Sequence, residues 1–226
     1  MKYQNITEGR FLSRPNRFIA NIEIGGKTEV CHVKNTGRLG ELLVNGARVI
    51  VQDCQSSARK TRYDLIAVYK GNKLFNIDSQ APNKVFGEWV KTSDYFGKLK
   101  SVKAEQKFQS SRFDFLLETE ERQIFVEVKG VTLEQNGVVL FPDAPTERGV
   151  KHIKELQSAV AEGFGAAICF VVKLDGAKYF TPNKSTHPEF YDTLKSAKTA
   201  GVDILCVDCR VTPDSLEIKG FVPVKL

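Results

Sequence analysis

Arg112-Phe-Asp-Phe-Leu-Leu117, followed by Gln123-Ile-Phe-Val-Glu-Val-Lys129, decides how the second half of this chain is read. Both segments alternate with the period of two that marks a half-buried strand. In the second, Ile124, Val126 and Val128 point one way, and Phe125, Glu127 and Lys129 the other. The polar run Glu118-Thr-Glu-Glu-Arg122 between them fits a hairpin turn. With an even loop, for instance two residues at Glu120-Glu121, Asp114 falls directly opposite Glu127. Their Cβ atoms would then lie roughly 4.5–5.5 Å apart. Carboxylates that close repel each other unless a proton or a cation relieves them. A hard cation such as Mg²⁺ accepts one or two protein carboxylates and keeps several waters. Lys129, on the same face as Glu127, is placed to hold an attacking water or an oxyanion. The three residues form a candidate site for phosphodiester hydrolysis, with Glu105 in the preceding segment as a further carboxylate. A surface hairpin whose exposed face simply carries charge is the competing reading.

Composition sets the frame around that hairpin. The chain has 226 residues, enough for one large domain or two small ones, and 42% of them are hydrophobic, which excludes a disordered protein. A net charge of +6 is compatible with nucleic acid without requiring it. The polar start Met1-Lys-Tyr-Gln-Asn5 does not read as a signal peptide, and no apolar run approaches the ~20 residues of a membrane span, so a cytoplasmic protein is expected. The odd cysteine count does not suggest a disulfide framework. Cys206 and Cys209 lie three apart on an apolar strand, hence on opposite faces, and read as core thiols. The three histidines show no ligand spacing.

The first third reads as short strands with turn signals: 18–24 and 27–33 around Gly25-Gly26, then 48–53, then 62–70 and 73–77 around Gly71-Asn72. Five strands in this length suggest a small barrel, of which the OB-fold is the best-known five-stranded example. Residues 81–93 are helix-like, with Pro82 near the first turn, and read as a connector. Beyond it come strands at 102–108, 112–117 and 123–130, then a helix opening at Pro145, an apolar strand at 165–172, a helix from Pro188 and a strand at 202–211. That order describes a mixed sheet flanked by helices. The division expected is 1–80 barrel, 81–101 connector and linker, and 102–226 α/β domain.

Two further clusters are candidates for nucleic-acid contact. On the helix after Pro145, Val150, Ile153, Leu156 and Val160 make an apolar stripe, while Arg148, Lys151, His152 and Glu155 gather on the other side. Arg148 lies in the first turn, where free N–H groups already favour an anion. In the first third, base and aromatic residues interleave at Arg10-Phe11, Arg14, Arg17-Phe18 and Arg59-Lys-Thr-Arg-Tyr63. From this set Arg59, Lys60 and Arg62, with Arg148, Lys151 and His152, are the expected DNA contacts. Distributed base without a recognition helix predicts binding that is largely sequence-independent. Serine-hydrolase elbows, Walker A loops, dinucleotide fingerprints and the zincin motif are missing from the sequence.

Asn35-Thr-Gly37, Ser111-Arg-Phe-Asp-Phe115, Phe125-Val-Glu-Val-Lys-Gly-Val-Thr-Leu133 and Phe141-Pro-Asp-Ala-Pro-Thr-Glu-Arg-Gly-Val-Lys-His152 together resemble the sugar fermentation stimulation protein A family. The resemblance spans essentially the full chain. It implies an OB-like N-terminal domain and a C-terminal domain with the PD-(D/E)XK nuclease fold. It also implies non-specific DNA binding and a proposed role in regulating sugar, especially maltose, metabolism. The nuclease pattern places its metal-binding acids at Asp114 and Glu127, its lysine at Lys129 and an additional acid at Glu105, with Mg²⁺ or Mn²⁺ as cofactor. Phe113 stands where the signature's name expects proline. The expected protein binds DNA and carries a nuclease-like divalent-metal site; an active Mg-dependent endonuclease is the alternative.

Overall fold

Residues 1–56 and 58–226 are described by the computed structural model. In the first third, strands β1 (Ile6–Asn16), β2 (Ile19–Ile24), β3 (Lys27–Val33), β4 (Arg48–Asp53) and β5 (Tyr63–Lys70) close into a barrel. β1 pairs antiparallel with both β2 and β4, β2 with β3, and β4 with β5. A short parallel pairing, Cys31↔Tyr63 to Val33↔Leu65, seals the ring. Ala20, Ile22, Val33, Val49, Val51 and Leu65 fill it.

The expected strand number holds, but the membership differs. β1 supplies the fifth barrel strand, and the segment expected to do so is β6 (Lys73–Asn76), which extends β5 as a hairpin. β1 escapes sequence reading because its only fully buried side chain is Phe11 and it carries Gly9 and Pro15. Gly9 is what lets it pass close to β2: a Cβ there would meet Ile22 Cγ2 at 2.6 Å and the Glu23 carbonyl oxygen at 2.8 Å.

The second half is built on a six-stranded mixed sheet. α1 (Ala81–Trp89) precedes β7 (Leu99–Phe108), β8 (Ser111–Thr119) and β9 (Gln123–Val131). A small sheet follows from β10 (Leu133–Gln135) and β11 (Val138–Phe141), then α2 (Glu147–Ala161), β12 (Gly165–Val172) and β13 (Tyr179–Pro182). The chain ends with α3 (Pro188–Thr199), β14 (Asp203–Thr212) and β15 (Ser215–Phe221). The large sheet runs β15-β14-β12-β9-β8-β7, with β9, β12 and β14 parallel. β12 is buried along its whole length, as its unbroken apolar run requires of a strand covered on both faces. Cys206 and Cys209 pack on opposite faces as free thiols.

α1 covers one face of this sheet through Ala81, Val85 and Phe86, which pack with Phe115, Val126 and Val128. α2 and α3 cover the other through Ile153, Leu156, Phe190 and Leu194. The segment expected to be a connector and linker is therefore built into the second unit, because its helix has its own apolar face to bury. β10, β11, β13 and β15 were not expected. The first three are three or four residues long, too short for a period to show. The two halves keep separate sheets but share apolar core, and the chain start returns to the far edge, where the Tyr3 amide donates to the Asp214 carbonyl at 2.7 Å.

Candidate metal centre at the end of the β8–β9 ladder

β8 and β9 pair from Glu118↔Gln123 to Phe115↔Val126, and the Thr119 amide donates to the Arg122 carbonyl at 3.0 Å. The tip is thus the two-residue turn Glu120-Glu121, and the next step along the register is Asp114 opposite Glu127. There the ladder stops. The Val128 amide donates to Asp114 Oδ2 at 2.7 Å, and Asp114 Oδ1 accepts from Asn83 Nδ2, on α1, at 2.7 Å.

The strand loses its alternation at the same point. Phe113 packs with Phe125 and the edge of His152 on the α2 face, whereas Phe115 packs with Phe86 on the α1 face. Residues two apart on a regular strand would share a face. Glu105, across from Asp114 in the β7–β8 register, has φ +53°, in the left-handed region. Slips of this kind are how strands re-aim a side chain.

Glu127 and its partners occupy the α2 face. Glu127 Oε1 accepts from Lys129 Nζ at 2.5 Å and from His152 Nδ1 at 2.6 Å. His152 Nε2 lies 3.3 Å from Arg148 Nε. Because a guanidinium can only donate, Nε2 is the acceptor and Nδ1 carries the proton given to Glu127. Glu127 Oε2 is buried and has no hydrogen-bond partner among the described residues.

The two acids are pushed in opposite directions. Burial raises the Asp114 carboxyl above its ordinary range and the Glu127 charge adds to this, against the Val128 amide and Asn83. Burial would also raise Glu127, but the His152 hydrogen bond and the Lys129 charge outweigh it and hold the group ionised. Neighbouring acids with separated affinities for a proton are a feature of functional sites.

The register expected for Asp114 and Glu127 is present, but their side chains are taken up from different sides of the Val128 amide, one by α1 and one by α2. Among the described residues, Asp114, Glu127 and His152 are not one cluster of ligand atoms within 4.8 Å; Glu147, His187 and Glu189 are. That second group joins the first turns of α2 and α3, elements forty residues apart, which is why spacing gave no sign of it. Glu105 lines a hollow of about 460 Å³ with Asp114 and Asn83, its carboxylate 3.3 Å from Arg112 Nη1.

The expected nucleic-acid contacts separate into two kinds. Arg148 and Lys151 are exposed on α2. His152 is buried, and Glu155 with it, so the expectation that both lie on the outer face is corrected. α2 lies in the angle between the sheet and α3, and its buried arc is wider than the apolar stripe alone. His152 orients Glu127 and does not reach solvent. The i, i+4 spacing of Arg148 and His152 was the one local sign of their pairing.

On the barrel, Arg59 pairs with Asp64, and Arg62 pairs with Asp53 at 2.5 Å while lying over the Tyr63 ring. Lys60 has no carboxylate partner among the described residues. Arg14 donates to the carbonyls of Arg17, Asn35, Gly37 and Arg38, and so ties loops together. Phe11 and Tyr63 are core, while Phe18 is half exposed.

Among the described residues no helix is long and apolar enough to cross a membrane. Residues 12–77 match the model of the SfsA N-terminal OB domain, and residues 80–215 that of the sugar fermentation stimulation protein RE domain. A sugar fermentation stimulation protein homolog of Desulfitobacterium hafniense is 60% identical over 100% of this chain and 99% of its own length. One from Ruminiclostridium cellulolyticum is 53% identical over the whole of both. The solved structure of Pyrococcus furiosus SfsA in complex with Ca²⁺ superposes with a TM-score of 0.90 at 29% identity, covering 100% of this chain and 98% of that one. An OB-type barrel joined to this mixed sheet, with matches along both, means that the chain belongs to the sugar fermentation stimulation protein family.

Proposed function

We propose that the protein binds DNA largely without regard to sequence and holds a divalent cation, Mg²⁺ or Mn²⁺, where the β8–β9 ladder ends. The observation that carries this reading is the orphaned Glu127 Oε2. A buried carboxylate oxygen without a donor is costly, and a hard cation is a fitting partner for it. The relative from Pyrococcus furiosus was solved with Ca²⁺, a cation with the same preference for oxygen.

Glu127 would offer Oε2, Asp114 its carboxylate across the Val128 amide, and Glu105 a further oxygen from the adjoining hollow. A cation held there supplies Lewis-acid polarisation of a phosphodiester and a bound water of lowered pKa. The chain's own groups do the rest. Arg148 holds His152, His152 holds Glu127 in one orientation, and Lys129 keeps Glu127 ionised. Lys129, in contact with Glu127, is also an ammonium able to turn towards an oxyanion. Arg148 and Lys151, exposed at the start of α2, would take backbone phosphates near the site.

Cleavage is the second reading, favoured by the ammonium of Lys129 within hydrogen-bond reach of Glu127. Binding alone fits the regulatory role implied by the family resemblance. Purified protein incubated with plasmid and short duplex DNA in Mg²⁺, Mn²⁺ or EDTA separates them. Metal-dependent nicking that is lost in Lys129→Ala establishes the enzyme. Retarded but intact DNA establishes the binding module. Calorimetric titration with Mn²⁺ that gives the same affinity in wild type and Glu127→Gln removes the metal site.

A further inference from the structure

Where the barrel meets the second unit there is a cavity of about 230 Å³ that the metal centre does not use. Its lining includes Thr36 and Gly37 from the barrel's β3–β4 loop, Gly130 and Thr132 from the end of β9 and the residue after it, Asp143 from the loop before α2, and Lys173 just after β12. Lys173 is only 2% exposed. Its ammonium has three N–H donors and, among the described residues, one protein acceptor, the Asp78 carbonyl at 3.3 Å. The nearby Asp78 carboxylate is already engaged by Lys34 at 2.9 Å and by the Tyr3 hydroxyl.

Beside the apolar Leu39, Leu133, Leu140 and Phe141, the lining carries further polar groups. The side chains of Thr36, Thr132 and Asp143 make no hydrogen bond or ion pair among the described residues. Thr36 and Asp143 are exposed, Thr132 is half-buried, and together with the buried Lys173 they line one small space. Glycines keep it open. A Cβ at Gly130 would lie 3.4 Å from Lys173 Cε and 2.7 Å from Pro82 Cγ, and one at Gly37 would lie 3.1 Å from Asp143 Oδ2.

We propose that this cavity is a binding site for a small hydroxylated anion, with its phosphate or carboxylate against Lys173 and its hydroxyl groups towards Asp143, Thr36 and Thr132. A buried ammonium demands a counter-charge, and the cavity that Lys173 lines is where one can approach it. Asp143 at the rim selects against a second negative charge and for a hydrogen-bond donor at the ligand's far end. A volume of about 230 Å³ suits a small ligand and not a polymer. A phosphate still held in a DNA duplex cannot reach a side chain so deeply covered. Burial also pushes the Lys173 ammonium down to about 8, against the opposing charges of Asp78, Cys209 and Asp143. A cation that the fold disfavours and does not pair is a mark of a ligand site.

The site is independent of the metal proposal and is tested separately. Calorimetry or thermal-shift titration of the full chain with glycerol 3-phosphate and with glycerate should give saturable binding, with inorganic phosphate weaker and glycerol inert. Lys173→Met should weaken it at least tenfold, Asp143→Asn should narrow the preference for the hydroxylated ligand over inorganic phosphate, and Glu127→Gln should leave it unchanged. Circular dichroism of each variant checks folding, and Thr132→Val, which exchanges a hydroxyl for a methyl group, serves if Lys173→Met does not fold. Absence of saturable binding of either ligand to wild type at millimolar concentration, or equal affinity in Lys173→Met, overturns the proposal. Inorganic phosphate binding as tightly as glycerol 3-phosphate overturns its hydroxyl-recognising half.

Discussion

Glu127 and Lys173 lie on opposite faces of the same sheet region, the first on β9 among partners and the second just beyond β12 with almost none. Glu127 has Lys129 and His152 on one oxygen, Arg148 behind them, and leaves a single oxygen free. Lys173 has one backbone carbonyl. The carboxylate stays ionised because its neighbours outweigh burial, whereas the ammonium is disfavoured because nothing nearby outweighs it. Equal depths of burial therefore mean different things. A buried charge with partners is held in one state by them, and one without them is where the proposed anion would bring the missing counter-charge.

The comparison breaks most readily at Glu127. Replacing it with Leu leaves Lys129 and His152 facing each other without a carboxylate. Loss of one member of a buried set costs about 3–5 kcal/mol, read as a lowered urea midpoint at pH 7. Glu127→Gln, which keeps the shape and one acceptor, should cost less. A loss below about 1 kcal/mol for Leu would mean that the partners are hydrated and the set is not truly buried.

Lys173 should give the opposite sign. Its fall from 10.5 to about 8 corresponds to roughly 3 kcal/mol of destabilisation while the group is charged. With the folded value below the unfolded one, the unfolded chain binds more protons between about pH 8 and 10.5, so stability rises with pH in that window. The penalty is full below pH 8 and gone above 10.5. Lys173→Met should thus stabilise the protein by up to about 3 kcal/mol at pH 7, with the gap to wild type closing by pH 10.5. A gap independent of pH would trace the effect to packing.

These contrasts also show which parts were legible in the sequence. The β8–β9 hairpin was, down to its two-residue tip, because alternation and turn composition are local and the two strands are adjacent. β12 was legible from its unbroken apolar run, and α3 from Pro188. β1 was not, since one buried phenylalanine sets no period and the closure it makes depends on the bare Cα of Gly9. Nor were β11 and β13, which pair across α2 and β12. At the site, Asp114, Glu127 and Lys129 were legible as a charged pattern on strands. The inward turn of His152 depends on where α2 rests, and Lys173 looks like any lysine at the end of a strand. Both are tertiary facts with no local trace.

The proposed metal centre sharpens the comparison through its supporting residues. His152→Ala leaves Glu127 in place but removes the donor that fixes it. Affinity for Mn²⁺ should fall about 10–100-fold, the usual effect of losing a group that holds a metal ligand. Arg148→Met, one step further out, should have a smaller effect in the same direction. Calorimetry on both, with wild type as reference, orders them. Equal losses would mean that Arg148 acts on the metal site by its charge and not through His152.

The smallest effect concerns exposed charges, where the distinction between paired and unpaired groups recurs on the barrel. Arg59 and Arg62 are held by Asp64 and Asp53, whereas Lys60 is free of any carboxylate among the described residues. A cation already neutralised by a carboxylate releases few counterions on meeting a phosphate. Each phosphate neutralised contributes about −0.9 to the slope of log affinity against log salt on duplex DNA. Replacing Arg59, Lys60 and Arg62 together by Ala should therefore flatten that slope by about 0.9, the share of Lys60, and Lys60→Ala alone should do nearly the same. A change near 2.7 for the triple variant, three such shares, would mean that both arginines leave their carboxylates for DNA. An unchanged slope would remove this side of the barrel from the binding face and leave Arg148 and Lys151, beside the proposed metal centre, as the contacts to test next.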